Sequence, residues 1–338
     1  MIAVIIAGGS GTRLWPLSTS TKPKHLMRVG SELSLLQESY ERAKLFAEEI
    51  YVVTDSSHAE LVKGQLQDLE DDRVIVEPDR RGTASCNVLA LSILAEKYDA
   101  DTKIGFIHAD HHIRNREGFA ETVRFAADVA ATQDKIGLIG IYPDYPSTGF
   151  GYIKVGDRID GAFKVLGFKE KPSKQVAQEY VESGEYLWNL GLFTAPIRVF
   201  ERELKKHNKT YYEAFQSLGK LDSEARTEAY LSLPNEPIET ELIEKLEEAV
   251  VVPGTFDWAD VGSFRDLYEV MPNKDVDGNV VRGDSVQLIN TTNSVVMSHD
   301  KPVAVIGLDN VAVIDTPDGL LVCHKDHAQE VKIAAKNL

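Results

Sequence analysis

Cysteine, basic charge and long apolar runs are all scarce in this sequence, and each scarcity excludes a class of protein. The two cysteines, Cys86 and Cys323, lie far apart without the close spacing of a metal knuckle or a redox pair, and a reducing interior suits them. Lys and Arg number 37 against 53 Asp and Glu, and the resulting net charge of -16 argues against any general attraction to nucleic acid or to an anionic membrane. A phosphate ligand must then be held by a local cluster of cations. The apolar opening Met1 to Ala7 is too short for a signal sequence or a membrane span and breaks at once into glycines, so a cytoplasmic protein with no membrane partner is expected. No low-complexity tract or long linker appears. The 338 residues suffice for one large domain and a smaller one.

What is present is an alternation of strands and helices. Ile2 to Ala7 reads as a buried parallel strand, and the pattern recurs at Ile50–Thr54, Arg73–Val76, Lys103–Ile107 and Ile136–Ile141. Between these runs, Leu35–Phe46, Ala59–Leu69, Ser85–Tyr98 and Glu117–Ala131 carry apolar residues at helical spacing. Such alternation predicts an α/β fold with a doubly wound, mixed but mainly parallel sheet, whose ligand crevice lies at the carboxyl ends of the strands. From Phe150 to Phe168 the pattern changes to alternating β segments, followed by a polar helical stretch at Ser173–Gly184, which predicts an insertion beside that crevice. After Tyr268 short β-rich pieces punctuated by Asn, Asp and Gly take over. They predict a small all-β domain, a short β-helix or a sandwich, with domains at 1–270 and 275–338.

Gly8-Gly9-Ser10-Gly11-Thr12-Arg13 follows the first strand directly, and its small residues let backbone N–H groups approach a polyphosphate. Neither the dinucleotide nor the Walker register fits it. Arg13, Lys22 and Lys24 supply the concentrated positive charge that the acidic chain otherwise lacks. As residues alone, the segment also reads as an ordinary glycine turn with exposed basic neighbours.

Asp110 should emerge at the carboxyl end of the strand ending in Phe106-Ile107, and Asp257 and Asp260 flank Trp258 before a helix. Carboxylates facing a triphosphate help only if a cation lies between them, and Mg²⁺ suits an oxygen donor set of this kind. The plain alternative makes Asp110 and Asp260 helix N-caps. His108, His111 and His112 stand too close together on an extended turn to converge on zinc. In Glu77-Pro78-Asp79-Arg80-Arg81-Gly82-Thr83-Ala84, a carboxylate or carbonyls would accept from the N1–H and amine of guanine, although the segment also reads as a turn with Thr83 as N-cap and Glu77 exposed. Glu170-Lys171-Pro172 and Trp188-Asn189-Leu190-Gly191 isolate polar groups among apolar ones; Glu170 and Asn189 suit adjacent sugar hydroxyls and Lys171 suits a phosphate, the alternatives being an exposed turn and a core strand.

The runs Gly8-Gly9-Ser10-Gly11-Thr12-Arg13-Leu14-Trp15-Pro16-Leu17 and Lys22-Pro23-Lys24 resemble the signature of the sugar-nucleotide pyrophosphorylases, and Leu-Trp-Pro-Leu resembles their mannose-1-phosphate guanylyltransferase branch. The resemblance extends over residues 1 to 270. It implies a Rossmann-like nucleotidyltransferase domain, with Ala7, Gly8, Gly9, Ser10, Gly11, Thr12, Arg13, Glu77, Gly82, Thr83 and His108 binding the nucleotide. Gly149, Glu170, Lys171 and Asn189 would bind the sugar phosphate, and Asp110 and Asp260 the metal. Arg13, Lys24, Asp110 and Asp260 would be catalytic, and Asp257 a supporting acceptor. GTP and mannose 1-phosphate are the implied substrates and Mg²⁺ or another divalent cation the cofactor. Apart from the resemblance, apolar β surface in the terminal domain would pair subunits, so a homodimer is expected. Gly82 stands where the family has asparagine, His108 where it often has proline, Leu190 and Leu192 where it has serine and methionine, and Phe150 replaces a tyrosine. Longer bifunctional relatives carry a cupin-like isomerase domain that this chain is too short to be expected to hold. Competing readings are the same chemistry with another sugar or nucleotide, a non-catalytic nucleotide-binding regulator, and, from the fold alone, a NAD-dependent dehydrogenase whose glycine spacing does not match.

Overall fold

A computed structural model describes residues 1–9 and 11–337. In chain order its first strands are β1 (Ile2–Ala7), β2 (Glu49–Asp55), β3 (Val74–Glu77), β4 (Lys103–His108), β5 (His111–His112) and β6 (Ile136–Ile141). β7 (Gly151–Ile159), β8 (Ala162–Lys169), β9 (Tyr186–Pro196), β10 (Ala249–Pro253) and β11 (Ala259–Asp260) follow. Contacts divide the chain into two compact units. One comprises Met1–Ala7, Ser39–His108 and Arg114–Asp257; the other comprises Gly8–Glu38, Ala109–Ile113 and Trp258–Leu338.

The first unit is built on a nine-stranded sheet of order β3-β2-β1-β4-β9-β6-β10-β8-β7. β1 pairs in parallel with β2 and β4, β2 with β3, and β6 with β10, whereas β9 opposes both β4 and β6. Seven strands therefore run one way, with β8 and β9 reversed. All six residues of β1 are buried, which is why its sequence is continuously apolar rather than alternating. The helix Gly82–Ala95 is almost wholly enclosed, so its apolar residues run all round it rather than along one stripe, with Ser85, Asn87 and Ser92 buried among them. Phe106, Phe193, Phe200 and Tyr211 fill the core between sheet and helices, each such side chain contributing roughly 1.5–3 kcal/mol by leaving water.

The β segments after Phe150, expected as an insertion beside the crevice, are part of the main sheet: β8 pairs with β10 and β7 with both β8 and β9. The stretch between β9 and β10, unread in the sequence, forms the helices Ile197–His207, Lys209–Ser217 and Ser223–Leu231, the last two capped by Asn208 and Asp222. Ser92 ties them to the helix Gly82–Ala95 by donating to the carbonyl of Phe215 (2.6 Å) and accepting from the amide of Gly219 (2.7 Å).

The second unit holds β12 (Val280–Arg282), β13 (Val286–Ile289), β14 (Val295–Met297), β15 (Val303–Ile306), β16 (Val311–Thr316) and β17 (Gly319–His324). β12, β14 and β16 stack in parallel, as do β13 and β15, and this successive parallel stacking selects the β-helix over the sandwich. Asn290, Asn293 and Asn310 take positive φ at the corners, a conformation asparagine tolerates better than other side-chain-bearing residues. Leu14, with Trp15 and Leu17 beside it, packs into the same apolar cluster as Val295, Ile314 and Leu321. The Leu-Trp-Pro-Leu run is thus a packing element for the coils. Among the described residues no helix is long and apolar enough to cross a membrane.

Candidate active site

In the second unit the glycine turn is shaped by close approach. Gly11 has φ +61°, and a Cβ there would stand 2.6 Å from Cβ of Lys24, so only glycine admits the Pro23-Lys24 backbone. Ser10 lies outside the described residues. Lys24, 6% exposed, donates from Nζ to Oδ2 of Asp110 (2.9 Å) and to Oδ1 of Asp260 (2.7 Å). Burial alone would lower the ammonium pKa, but attraction and hydrogen bonds from the two carboxylates outweigh it and hold the amine above its ordinary range. Neither aspartate is a helix cap: the helix Phe264–Val270 is capped by Ser263, and Asp110 leads into β5, which pairs with β11 and sets Asp260 opposite His111. A methyl group added at Gly262 would lie 3.5 Å from Asp260, 3.6 Å from Asp266 and 3.7 Å from Nη1 of Arg13, which measures how closely these groups gather. Gly11, Thr12, Arg13, Lys24, Asp110 and Asp260 line one cavity of about 390 Å³.

In the first unit Ala7 is buried at the end of β1, its carbonyl accepting from Oγ1 of Thr54 (3.0 Å). Glu77, 4% exposed, accepts from the hydroxyl of Tyr230, and burial pushes its pKa up to about 7. It is not the exposed turn residue of the plain reading. Nor is Thr83 a cap: its hydroxyl accepts from the amide of Ile238 (2.9 Å) while Arg81 occupies the N-cap position. Gly82 has φ +72°, and a Cβ there would come within 2.3 Å of the carbonyl oxygen of Glu236. Asparagine therefore does not fit at this position.

A second group forms around β9. Gly191 has φ +67°, and a Cβ on it would stand 2.6 Å from Nε2 of His108 and 3.6 Å from Oε1 of Glu239. Burial raises the Glu239 pKa, with Glu170 adding to the rise and His108 and Lys171 opposing it. Lys171 donates to Oε1 of Glu170 (2.8 Å), and a Cβ on Gly151 would meet the other oxygen of Glu170 at 2.5 Å. Gly151 is in register with Asn189, so β7 and β9 bring Glu170, Lys171 and Asn189 to one end of the sheet. Gly149 is exposed two residues earlier, its amide donating to Oγ of Ser147 (3.2 Å).

Residues 2–275 match the nucleotidyl transferase family, and residues 278–338 match the MannoseP isomerase/GMP-like beta-helix domain. The chain belongs to the nucleotidyl transferase family. It is 35% identical to a mannose-1-phosphate guanylyltransferase of Klebsiella pneumoniae, covering 100% of this chain and 74% of that protein. It is 38% identical to the xanthan biosynthesis protein XanB of Xanthomonas campestris pv. campestris (strain B100), covering 98% and 72%. A crystal structure of mannose-1-phosphate geranyltransferase from Thermus thermophilus superposes with a TM-score of 0.89 at 31% identity, covering 99% of this chain and 98% of that one. The expected nucleotidyltransferase fold with a C-terminal β-helix is borne out.

Within this nucleotidyl transferase, tertiary contacts divert two of the residues singled out from sequence. Lys22 is 62% exposed and pairs with Asp318 at 3.3 Å, leaving Lys24 as the lysine of the turn. Asp257 accepts from the amides of Arg114 and Asn115 (2.8 Å to the latter), anchoring the entry to the helix Arg116–Gln133. His111 meets the ring of Trp258 edge-on while His112 stands 3.7 Å from Glu38, so the histidines face different partners. Glu239, Tyr230 and Asp266 were missed. The first two lie in the unread helical stretch, where an acid beside an apolar residue was the only signal for Glu239 and none marked Tyr230. Asp266 looked like an ordinary first-turn carboxylate, but burial raises its pKa beside Asp260 and Lys24.

Proposed function

We infer that this protein transfers the guanylyl group of GTP to mannose 1-phosphate, forming GDP-mannose and releasing pyrophosphate. The observation that carries the reading is the Lys24 ammonium enclosed between Asp110 and Asp260 in the cavity of the glycine turn, in a chain whose full-length relatives bear that activity in their names. A phosphate oxygen of the sugar phosphate attacks the α-phosphorus, the bond to the β-phosphate oxygen breaks, and pyrophosphate departs with that electron pair. The nucleophile is already an anion at neutral pH, so orientation and charge neutralisation suffice.

Backbone amides of Gly8, Gly9, Ser10, Gly11 and Thr12, with the Arg13 guanidinium, hold the triphosphate oxygens in this reading, and Lys24 offsets charge at the reacting phosphates. Glu77, Gly82, Thr83 and His108, together with Ala7, bound the nucleotide, whereas Glu170, Lys171, Asn189 and Gly149 take the sugar phosphate. Asp110 and Asp260 form a hard-oxygen donor pair whose side chains keep 30% and 34% of their surface accessible, which fits Mg²⁺. Bound there, a divalent cation would supply Lewis-acid stabilisation of the phosphoryl oxygens. Residues 1–270 form the catalytic domain and 275–338 a β domain that pairs two copies in the cytoplasm; light scattering that shows only monomer would remove the pairing. The test of the activity is pyrophosphate release with Mg²⁺ across GTP, ATP, dTTP, UTP and CTP, each with mannose or glucose 1-phosphate. Release confined to GTP with mannose 1-phosphate is expected, and release only with another pair would overturn the substrate assignment.

A further inference from the structure

The C-terminal helix Val331–Asn337 packs against the turn Thr12–Leu14, far from it in sequence. Val331 and Ala328 anchor this segment in the apolar cluster that contains Leu14 and Leu267. With that face buried, Lys332 and Lys336, four residues apart and hence on one side of the helix, are left exposed, and both line the cavity that holds Arg13, Lys24, Asp110 and Asp260. Lys24 is committed to the two carboxylates. The structure gives Lys332 and Lys336 no carboxylate partner among the described residues. Four cationic side chains thus face two anionic ones, a local excess of positive charge in a chain of net charge -16. Like charges at this helical spacing repel one another, and a polyanion bound between them would turn that repulsion into attraction.

We propose that Lys332 and Lys336 are phosphate-binding residues of this site, delivered by the C-terminal segment, and that they engage the pyrophosphate portion of the nucleoside triphosphate. The proposal rests on the reading of the cavity as a triphosphate site. The pyrophosphate portion carries most of the ligand's negative charge, and it must be gripped in the substrate yet released as product. Exposed lysines on flexible stems suit that task better than a rigid bidentate arginine. The β-helix segment then supplies chemistry to the nucleotide site as well as packing.

The double variant Lys332→Ala/Lys336→Ala tests this, beside Lys332→Arg/Lys336→Arg as the charge-keeping control. Losing two charge-assisted contacts should raise the KM for GTP, and the KM for pyrophosphate in the reverse reaction, by about tenfold or more. The KM values for mannose 1-phosphate and GDP-mannose should stay within about twofold, melting should be unchanged, and the arginine variant should recover most of the loss. Unchanged constants for GTP and pyrophosphate, or a uniform change in all four, would overturn the proposal. Calorimetric titration of pyrophosphate with Mg²⁺ into wild type and the alanine variant separates it from the assigned activity. A wild type inert towards GTP and mannose 1-phosphate that still binds pyrophosphate more tightly than the variant would sink the activity and keep the lysines; equal binding by the two proteins would sink the lysines.

Discussion

The glycine turn of one unit and the acids Glu77 and Glu239 of the other handle charge in opposite ways. Around the glycine turn, ionised groups are set against one another: Lys24 lies between two carboxylates, and Arg13, Lys332 and Lys336 share their cavity. In the first unit two acids are enclosed apart from any cation partner of their own among the described residues, and burial pushes both toward the neutral form, Glu77 beneath the Tyr230 hydroxyl and Glu239 beside Gly191. The contrast teaches that the first arrangement suits a polyphosphate, which brings its own charge, whereas the second suits neutral donors such as base amines and sugar hydroxyls, which reward fixed acceptors.

The comparison breaks most visibly at the carboxylates. Asp110→Asn should lower kcat for pyrophosphate release by about a hundredfold or more, as expected for loss of one preorganised electrostatic group, with melting little changed. Near-normal turnover in that variant would take Asp110 out of the reacting centre.

Glu77 sharpens the other side. Its folded pKa of about 7 lies above the ordinary carboxylate value of 4.5, so the folded state holds the proton more tightly. That contribution is fully present below pH 4.5 and is lost as pH rises through 7. Glu77→Gln removes the dependence, so its stability relative to wild type should improve by about 3 kcal/mol between about pH 4.5 and about pH 8. Chemical denaturation of both proteins at the two pH values would check this, and a constant difference would show that Glu77 is not desolvated in solution.

Smaller effects follow further along each unit. Glu239→Gln should raise the KM for mannose 1-phosphate by about tenfold while leaving that for GTP alone, consistent with one lost hydrogen-bond acceptor. Equal changes in both constants would assign Glu239 to the scaffold instead. Lys22→Ala should change stability by no more than about 0.5 kcal/mol and activity not measurably, because its partner Asp318 forms a surface pair. A large loss of pyrophosphate release would return Lys22 to the site.

The strands of the parallel core were legible because burial on both faces leaves continuous apolar runs, as at Ile2 to Ala7. The stretch between β9 and β10 was not read because its helices bury narrow faces among many charges, with Phe200 and Leu204 inward and Lys205 and Lys206 in the last turn. The strands β7 and β8 were recognised as β but not given their places in the sheet, since alternation identifies a strand and not its neighbour.

Short runs of residues read in order were enough for the glycine turn, the strand-end positions of Asp110 and Glu77 and the family. Tertiary structure alone decided which lysine serves that turn. Lys22 and Lys24 are two residues apart, yet one reaches Asp318 and the other reaches Asp110 and Asp260. Only folding likewise sets Lys332 and Lys336 beside Arg13 and folds Tyr230 over Glu77. Local propensity acts over a few residues, whereas a buried charge or an enclosed acid is defined by whatever the folded chain carries to it from hundreds of residues away.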